Sequence, residues 1–360
     1  MTIGLALSIR LTLIRQGVVL EPNGDPTEVE GVFNPGFTRA RDGKHLLYPR
    51  SVARGNVSRI GLVSIGGSPE TPTFTRLGFA LEPEAPYEFR SEPGGYGCED
   101  PRITFINALD VYVMAYTAYG PEGPRIAIAV SHDAYDWKRL GLVDFPADLS
   151  VIDKDAAFFP EPVLSPSGVL SLGLYHRPMT WTAPPIHPCT IAPIALALAP
   201  SARECIRIGY IPLEPVLGDL RKLLSVSESV IVVEPDTQWG RIKVGAGTPP
   251  VRISEGWFSL YHAVDVLPTD IEGGYSDMTY SVAAVVHDIE RPDVVLYRSP
   301  NPIFLPKTPD ELHGVVNNVV FPTGIDDLST TAEHRYDVYY GMADSRVGRM
   351  KLIIETGPQR

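Results

Sequence analysis

The chain has 360 residues, of which 44% are hydrophobic and 21% are charged, and its formal net charge is −12. This acidic balance argues against general binding to nucleic acid or to an anionic membrane, since both reward a basic face. The three cysteines are odd in number and lack CxxC spacing. They predict neither a disulfide framework nor a metal site, which is typical of a reduced, cytoplasmic compartment.

The chain opens on an apolar segment, residues 1–17, that we predict to be a strand. Arg10 interrupts the segment and no small-residue cleavage site follows it, so a signal peptide is not indicated. No apolar run reaches the roughly 18 residues that span a bilayer as a helix.

The remaining composition favours an all-β chain. The 35 prolines and 32 glycines indicate frequent turns and few long helices, because proline interrupts a helix. Only residues 214–234 have a helical pattern. No shift in composition and no Ser/Gly-rich linker marks a boundary, so we predict a single domain over residues 1–360.

A repeated pair of apolar runs is the main organisational signal. In each pair the first run ends in polar or aromatic residues, and the second often closes on Ser or Asp. The pairs occupy residues 43–65, 110–133, 168–201, 256–288 and 335–354. Repeated units that are too small to bury their own faces are typical of solenoids and propellers. The five pairs predict an all-β, five-bladed β-propeller.

The ends of the first runs predict where a site lies. Equivalent strands of a propeller run in the same sense along the central channel, so their ends meet at one mouth. The residues at these ends are Arg50, Tyr119, His176 with Arg177, His262 with Asp265, and Asp344. We expect them to form one polar pocket.

The segment 178–230 is longer than its counterparts in the other units and begins with a proline-rich stretch. We predict that it is an inserted loop region that covers one face and shapes access to the pocket.

The sequence GCEDPR at residues 97–102 places two carboxylates and a guanidinium in one turn. A carboxylic acid held there, at Asp100, can act as a proton donor. Asp-Pro is also a common turn in its own right, so the motif alone leaves both interpretations open.

Four cations, Arg50, Lys154, Arg177 and Lys243, lie at or near equivalent ends of different units. Basic residues near loops are usually solvated charges. Cations gathered from several strands of an acidic chain are also what an anion site requires. His176 and His262 end apolar runs in the same way, and each is either a hydrogen-bonded core residue or a substrate contact. Aromatic residues near these ends either pack or stack on a sugar ring.

Several motifs, in order along nearly the whole chain, resemble those of glycoside hydrolase family 130, the β-mannoside phosphorylases and related mannosidases. They are FNPG (33–36), SRIGLV (58–63), EDPRIT (99–104), DKDAAFFPE (153–161), YHRP (175–178), KVGAGTPP (243–250), GWFSLYHAVD (256–265), NVVFPTG (318–324) and YYGMADS (339–345). The resemblance implies a five-bladed β-propeller that attacks a β-mannosidic bond with inversion.

The resemblance also implies roles for the matching residues. Asp100 would give a proton to the leaving oxygen through a hydroxyl of the bound mannose. Phosphate, the co-substrate in an enzyme without other cofactors, would be held by Arg50, Lys154, Arg177, Lys243 and His262. The products would be mannose 1-phosphate and a shortened acceptor. The residues expected at the mannoside are Asn34, Glu99, Arg102, Asp155, His176, Tyr261, Asp265 and Asp344.

An inverting enzyme needs an acid on one face of the sugar and room for a nucleophile on the other. Phosphate needs positioning and charge neutralisation more than a general base, so one acid among several cations favours phosphorolysis. An inverting β-mannosidase is the alternative, with Glu161, Asp155, Asp265 or Asp344 activating water. A non-catalytic glycan-binding propeller is a second alternative. The expected partners are a β-mannoside oligosaccharide and phosphate, and self-association is left open.

Two departures from the family pattern concern the site. Pro49 stands ahead of Arg50 where the family usually continues the strand, so the pose of Arg50 is left open. The long segment 178–230 leaves acceptor specificity open as well.

Overall fold

The structure is a computed structural model that describes residues 7–150, 152–179, 188–236, 238–268, 275–330 and 333–358. Most of the regular structure in these ranges is β-strand, which confirms the predicted all-β class. The first strand, β1 (Leu7–Leu20), confirms the strand predicted at residues 1–17 over residues 7–17, and residues 1–6 lie outside the described ranges.

The first large sheet contains two antiparallel groups of four strands. The strands are β2 (Gly31–Arg39), β3 (His45–Ala53), β4 (Val57–Gly67), β5 (Pro72–Leu81), β6 (Tyr96–Ile106), β7 (Val111–Gly120), β8 (Gly123–Ser131) and β9 (Lys138–Leu142). A short parallel bridge joins β4 to β6 and so connects group β2–β5 to group β6–β9.

The next two sheets each contain four strands in a row and one short additional strand. The first has β10 (Asp153–Phe158), β11 (Val163–Leu164), β12 (Leu170–Pro178), β13 (Ile206–Pro212) and β14 (Glu228–Val233). The second has β15 (Lys243–Ala246), β16 (Val251–Ile253), β17 (Gly256–Pro268), β18 (Tyr275–His287) and β19 (Val295–Arg298). The short strands β11 and β16 pair with β12 and β17.

The last sheet joins the two ends of the chain. Its strands are β20 (Val320–Asp327), β21 (His334–Met342) and β22 (Arg346–Pro358), and β1 pairs antiparallel with β22. The order β1-β22-β21-β20 therefore includes the first and last strands of the described chain as neighbours.

Short helices connect the strands. They are α1 (Pro188–Ala197), α2 (Leu213–Gly218) and α3 (Pro309–Leu312), with 3-10 turns at Pro86–Glu88, Pro200–Ala202 and Leu220–Leu224. Within the described ranges, no helix has the length and apolar character needed to cross a membrane.

The third predicted pair of runs differs in its second half. The sequence predicts a strand at 192–201, but this stretch lies largely in α1, and the strand beside β12 is β13. Alanine and leucine, which dominate the stretch, are strong helix formers. The segment 178–230 therefore supplies an integral strand as well as connecting structure; its residues 180–187 lie outside the described residues. The helical pattern at 214–234 is confirmed in part, by α2 and the turn at Leu220–Leu224, before β14 begins.

Five apolar clusters of the described core each lie between two neighbouring strand groups, and a smaller one packs α1 on β17. Leu46 of β3 and Met114 of β7 belong to one cluster, and Val113 of β7 and Leu172 of β12 to the next. The others pair Tyr175 of β12 with Tyr261 of β17, Leu260 of β17 with Val338 of β21, and Leu47 of β3 with Tyr339 of β21. Every group is thus packed on two others through apolar side chains.

Candidate active site

Three strand groups have a β-bulge in their first strand, and each bulge directs a short polar side chain toward the same region of the molecule. The pairing of β2 with β3, β6 with β7 and β10 with β12 is interrupted after Phe33, Glu99 and Lys154, respectively. The residues that follow are Asn34, Asp100 and Asp155, with φ of 44°, 47° and 60°. Asn and Asp adopt this left-handed conformation more readily than other non-glycine residues, and bulges commonly re-aim side chains beside active sites.

These three side chains line a cavity of about 170 Å³, here called the central cavity. The lining residues are Asn34, Arg50, Asp100, Lys154, Asp155, Arg177, Met179, Lys243, His262, Tyr280, Val316, Val319, Phe321 and Asp344. The lining residues come from all five strand groups, which are β2–β5, β6–β9, β10–β14, β15–β19, and β20–β22 with β1. The predicted convergence of Arg50, Arg177, His262 and Asp344 is therefore observed, whereas Tyr119 lines a neighbouring cavity.

Asp100 forms one end of the central cavity, the acid end. Its Oδ1 lies 3.5 Å from Arg50 Nη1 and accepts a 3.0 Å hydrogen bond from Asn34 Nδ2. Its Oδ2 lies 3.8 Å from Lys154 Nζ. Burial alone would raise the pKa of Asp100, but Arg50, Lys154 and Arg102 hold it below its ordinary value. With the protein's own charges alone, Asp100 is a carboxylate at neutral pH.

Glu99 fixes the two cations that face Asp100. Its Oε1 accepts a 2.9 Å hydrogen bond from Arg50 Nη2, and its Oε2 accepts one of 3.3 Å from Lys154 Nζ. Glu99 itself is buried. Because its carboxylate points to the cations and not into the central cavity, Glu99 positions Arg50 and Lys154 at the acid end.

Asp155 organises the other end of the cavity, the cationic end. Its Oδ2 accepts a 2.6 Å hydrogen bond from Arg177 Nε and lies 3.5 Å from His262 Nε2. Arg177 is paired through its Nη1 with Glu204 as well. Burial opposes ionisation of Asp155, but Arg177 and the neighbouring basic groups lower its pKa strongly. This carboxylate stays ionised and holds Arg177 in place.

His262 is a neutral imidazole at this end. Burial, the largest influence, lowers the pKa of His262 to about 3. Its ring lies 4.4 Å from that of Phe321, and its buried Nδ1 has no hydrogen-bond partner among the described residues. The ring can therefore exchange a hydrogen bond with a ligand but brings no charge to one.

Lys243 is a cation of the site whose charge is not neutralised by a carboxylate of the described residues. It is half-buried in the wall of the central cavity, and its Nζ lies 5.6 Å from the centre of the Tyr280 ring. No carboxylate of the described residues pairs with it. In a chain of net charge −12, such a lysine indicates a place for an anion.

Arg102 stabilises the wall of the central cavity without lining it. It is almost fully buried, and its guanidinium donates to the carbonyls of Ala246, Gly247 and Asp100. Its Nη2 also lies 3.7 Å from Asp155 Oδ1. The structure thus places Arg102 behind the cavity wall, where it joins β6 to the end of β15 and to Gly247, and not at the substrate surface predicted from sequence.

Three other predicted substrate contacts lie away from the central cavity. His176 is buried, with Nδ1 2.6 Å from Asp153 Oδ2 and Nε2 2.8 Å from Ser229 Oγ. Tyr261 is buried, and its hydroxyl accepts a hydrogen bond from Arg298. Asp265 pairs with Arg241 near the end of β17. These side chains have protein partners, so their assignment to the sugar is corrected.

Several lining residues were not predicted from sequence as contacts. Met179, Tyr280, Val316, Val319 and Phe321 give the cavity an apolar side. Val319 and Phe321 do belong to the motif NVVFPTG, but an apolar strand signal does not separate a core side chain from one that lines a cavity.

Asp344 carries a raised pKa beside the acid end. Burial raises the pKa of Asp344 to about 6, and Asp100 and Glu99 add to this against the opposing influence of Arg50 and Lys154. The ordinary value is 3.8. A carboxyl whose folded pKa is raised stabilises the fold fully below its unfolded pKa, and this contribution is lost as the pH rises through the folded pKa.

We therefore expect Asp344→Asn to raise the free energy of unfolding at pH 7 by about 1–3 kcal/mol, with little gain near pH 4. Asparagine tolerates the left-handed conformation of this residue, whose φ is 49°. Urea denaturation at both pH values measures the difference. Asp110→Asn, at an exposed left-handed turn with φ of 54°, is the control and should show no comparable gain. Equal stabilisation at both pH values would contradict the raised pKa.

Within the described residues, no group of three or more His, Cys, Asp or Glu side chains is arranged to hold a metal ion. Arg50, Lys154 and Arg177 instead form ion pairs with Glu99, Asp100, Asp155 and Glu204.

Comparison with known proteins gives a consistent result. The model of glycoside hydrolase family 130, described as beta-1,4-mannooligosaccharide phosphorylase, matches residues 7–178 and 219–356. A 1,2-beta-oligomannan phosphorylase from Thermoanaerobacter sp. (strain X514) is 28% identical, over 94% of this chain and 96% of the relative. A beta-1,2-mannobiose phosphorylase from the same strain is 25% identical over the same shares.

A solved structure supports the fold. The beta-1,2-mannobiose phosphorylase from Listeria innocua, in complex with beta-1,2-mannobiose, aligns with a TM-score of 0.61 at 20% identity. The alignment covers 94% of this chain and 96% of that chain. The interval 179–218, which the family model leaves unmatched, falls within the segment 178–230 that stood out in the sequence.

Proposed function

The chain belongs to glycoside hydrolase family 130, and on that premise we propose that it is an inverting β-mannoside phosphorylase. It transfers a mannosyl group from a β-mannoside to inorganic phosphate, which acts as co-substrate. The products are α-mannose 1-phosphate and the saccharide that carried the mannosyl group.

The observation that carries this proposal is that two clusters of contacting charged residues line the central cavity, which we assign to an acid end and a cationic end. Asp100 lies with Arg50 and Lys154 at the first end, and Lys243 lies with Arg177 and His262 at the second. Inversion requires the nucleophile and the leaving group on opposite faces of the sugar. Phosphate at the cationic end and the glycosidic oxygen at the acid end satisfy this requirement. Of the five residues predicted from sequence to hold phosphate, Arg50 and Lys154 are thereby assigned to the acid end, where they pair with Glu99 and Asp100.

The cationic end is suited to phosphate because it supplies charge and donors without a base. Lys243 brings an ammonium that no carboxylate of the described ranges neutralises, while Arg177 is held in position by Asp155 and Glu204. Phosphate is already a nucleophile, and fixed cations lower the free energy of bringing it against the sugar.

Among the described residues, no carboxylate at that end is suited to activate water. Glu161 is paired with Arg252, and Asp265 with Arg241, both outside the central cavity. Asp155 accepts from Arg177, and its lowered pKa makes it a weak base. Asp344 lies in the field of Arg50 and Asp100 and so belongs to the acid end. This arrangement favours phosphorolysis over hydrolysis.

Asp100 is proposed as the proton donor. The cations that lower its pKa are the ones nearest to it, Arg50 and Lys154. Phosphate, whose negative charge offsets the basic groups of the cavity, raises the pKa of Asp100 and favours its protonated form. The proton then passes to the leaving oxygen through a hydroxyl of the bound mannosyl ring.

We also propose that the five strand groups are the blades of a propeller around the central cavity. The innermost strands make contact in sequence: β2 with β6, β6 with β10, and β10 with β15. Strand β20 contacts both β17 and β2, which supports closure of the ring. The pairing of β1 with β22 then completes the last blade with the first strand of the chain.

A panel of β-mannosides assayed with and without phosphate tests the function. We expect mannose 1-phosphate from at least one mannobiose, and no turnover when phosphate is omitted. Equal release of free mannose in both conditions would establish a hydrolase instead. Binding of a mannoside without any turnover would favour a glycan-binding protein.

A further inference from the structure

A second cavity, here called the side cavity, adjoins the central cavity and has a volume of about 440 Å³. The residues that line it are Arg90, Glu99, Tyr119, Pro121, Glu122, Gly123, Pro124, Ile152, Lys154 and Met179. Tyr119 lies near the end of β7 and was predicted from sequence to lie at the mouth of the central channel. The proposed chemistry at the central cavity leaves Tyr119 and Arg90 without a role.

The side cavity adjoins the acid end. Lys154 and Met179 line both cavities. The ammonium of Lys154 lies 3.3 Å from Glu99 Oε2, on the side cavity, and 3.8 Å from Asp100 Oδ2, on the central cavity. None of the residues of the cationic end line the side cavity. A group bound there therefore lies beside the proton donor and away from Lys243.

Tyr119 and Arg90 form a rigid surface in the side cavity. Arg90 Nη1 donates a 2.6 Å hydrogen bond to the Tyr119 hydroxyl, and the guanidinium carbon lies 5.0 Å from the ring centre. The next residue, Gly120, approaches the backbone of Tyr87 so closely that a Cβ would collide with the Tyr87 carbonyl. This close approach packs the end of β7 against the segment that carries Arg90.

The chemistry of the lining suits a saccharide. The tyrosine ring and two prolines offer flat apolar surface, which packs against the C–H face of a sugar ring. Arg90, Glu99 and Lys154 offer charged donors and acceptors for hydroxyl groups. The volume of about 440 Å³ is more than twice the 170 Å³ of the central cavity, so the side cavity has room for more than one ring.

We infer that the side cavity binds the saccharide that leaves from the cleaved bond, with Tyr119 and Arg90 as specificity-determining residues. This inference rests on the proposed function, because it places the leaving saccharide next to Asp100. In the reverse reaction, the same cavity binds the acceptor that receives the mannosyl group from α-mannose 1-phosphate.

The reverse reaction tests the inference, with β-1,2-mannobiose and β-1,4-mannobiose as acceptors. We expect Tyr119→Ala to raise the KM for the preferred acceptor by about tenfold, which corresponds to about 1.4 kcal/mol, the size of one aromatic contact. The KM for α-mannose 1-phosphate should stay within about twofold, which also shows that the variant is folded. Tyr119→Phe removes only the hydrogen bond with Arg90 and should have a smaller effect in the same direction.

Tyr135→Ala is the matched control. Tyr135 also hydrogen-bonds through its hydroxyl, to Asp42 at 3.1 Å, and has a cation, Lys44, 5.9 Å from its ring centre. It lines neither cavity. An unchanged acceptor KM in Tyr119→Ala, or an equal rise in KM for α-mannose 1-phosphate, would overturn the inference.

A binding measurement separates this inference from the proposed function. If the wild-type protein makes no product from α-mannose 1-phosphate, the proposed phosphorylase is wrong, and calorimetric titration with the two mannobioses then decides the side cavity by itself. Weaker binding to Tyr119→Ala than to wild type and to Tyr135→Ala supports the assignment. Equal binding to all three proteins rejects it.

Discussion

Asp100→Asn is expected to lower kcat/KM for phosphorolysis of a β-mannobiose by about 10²–10⁴-fold, which is the usual contribution of a positioned general acid. Asparagine keeps the size of the side chain and tolerates the left-handed conformation at φ 47°. It also leaves Glu99 to hold Arg50 and Lys154. The loss should therefore reflect the missing proton and not a collapsed site.

An aryl β-mannoside with a good leaving group sharpens this test. Its leaving oxygen needs little protonation, so Asp100→Asn should lose much less activity on the aryl substrate than on mannobiose. Asp110→Asn, at another left-handed aspartate, lies outside the central cavity and is the control. Near wild-type phosphorolysis of mannobiose by Asp100→Asn would remove Asp100 from the mechanism.

Lys243→Met is expected to raise the KM for phosphate by about 10–100-fold, because a hydrogen bond to a charged group contributes about 1.5–3 kcal/mol. Methionine keeps an apolar stem of similar length beside Tyr280, where the lysine Nζ lies 5.6 Å from the ring centre. The KM for the mannoside should change little, because Lys243 lies at the cationic end. Initial rates over a grid of both substrate concentrations separate the two constants.

Lys44→Met is the matched control for this change. Lys44 also lies near a tyrosine ring, with its Nζ 5.9 Å from the centre of Tyr135, but it is exposed and pairs with Asp42. Both KM values should match the wild type. If Lys243→Met leaves the KM for phosphate unchanged, or raises both constants equally, phosphate does not bind at the cationic end.

Much of the fold was predictable because paired strands leave a strong sequence signal. Apolar runs of strand length mark four of the five pairs correctly, and the pair at 168–201 fails only in its second run. There the alanine-rich stretch forms α1, and the strand that pairs with β12 comes later, as β13. Hydrophobic periodicity in a short run does not separate a buried strand from a buried helix.

The errors at His176 and Tyr261 have a simple geometric cause. Successive side chains of a regularly paired strand point to opposite faces, so only one of two neighbours lines a cavity; the bulge in β10 lets both Lys154 and Asp155 do so. Arg177 and His262 point into the central cavity, while their neighbours His176 and Tyr261 are buried elsewhere. The sequence marked both members of each pair, because the register that decides between them depends on how the strands pair.

The bulges could not be predicted from the local sequence either. The left-handed backbone at Asn34, Asp100 and Asp155 aims these residues at the cavity. Asx-Pro in FNPG and EDPR was compatible with an ordinary turn. The family motifs, and not the local pattern, identified these positions in advance.

The products of one reaction test the central claim most directly. Wild-type protein is incubated with β-1,2-mannobiose or β-1,4-mannobiose in phosphate buffer, and the products are followed by proton and phosphorus NMR. We expect α-mannose 1-phosphate and free mannose in equal amounts, and no reaction without phosphate. Two molecules of free mannose from each mannobiose, formed at the same rate whether or not phosphate is present, would contradict this claim.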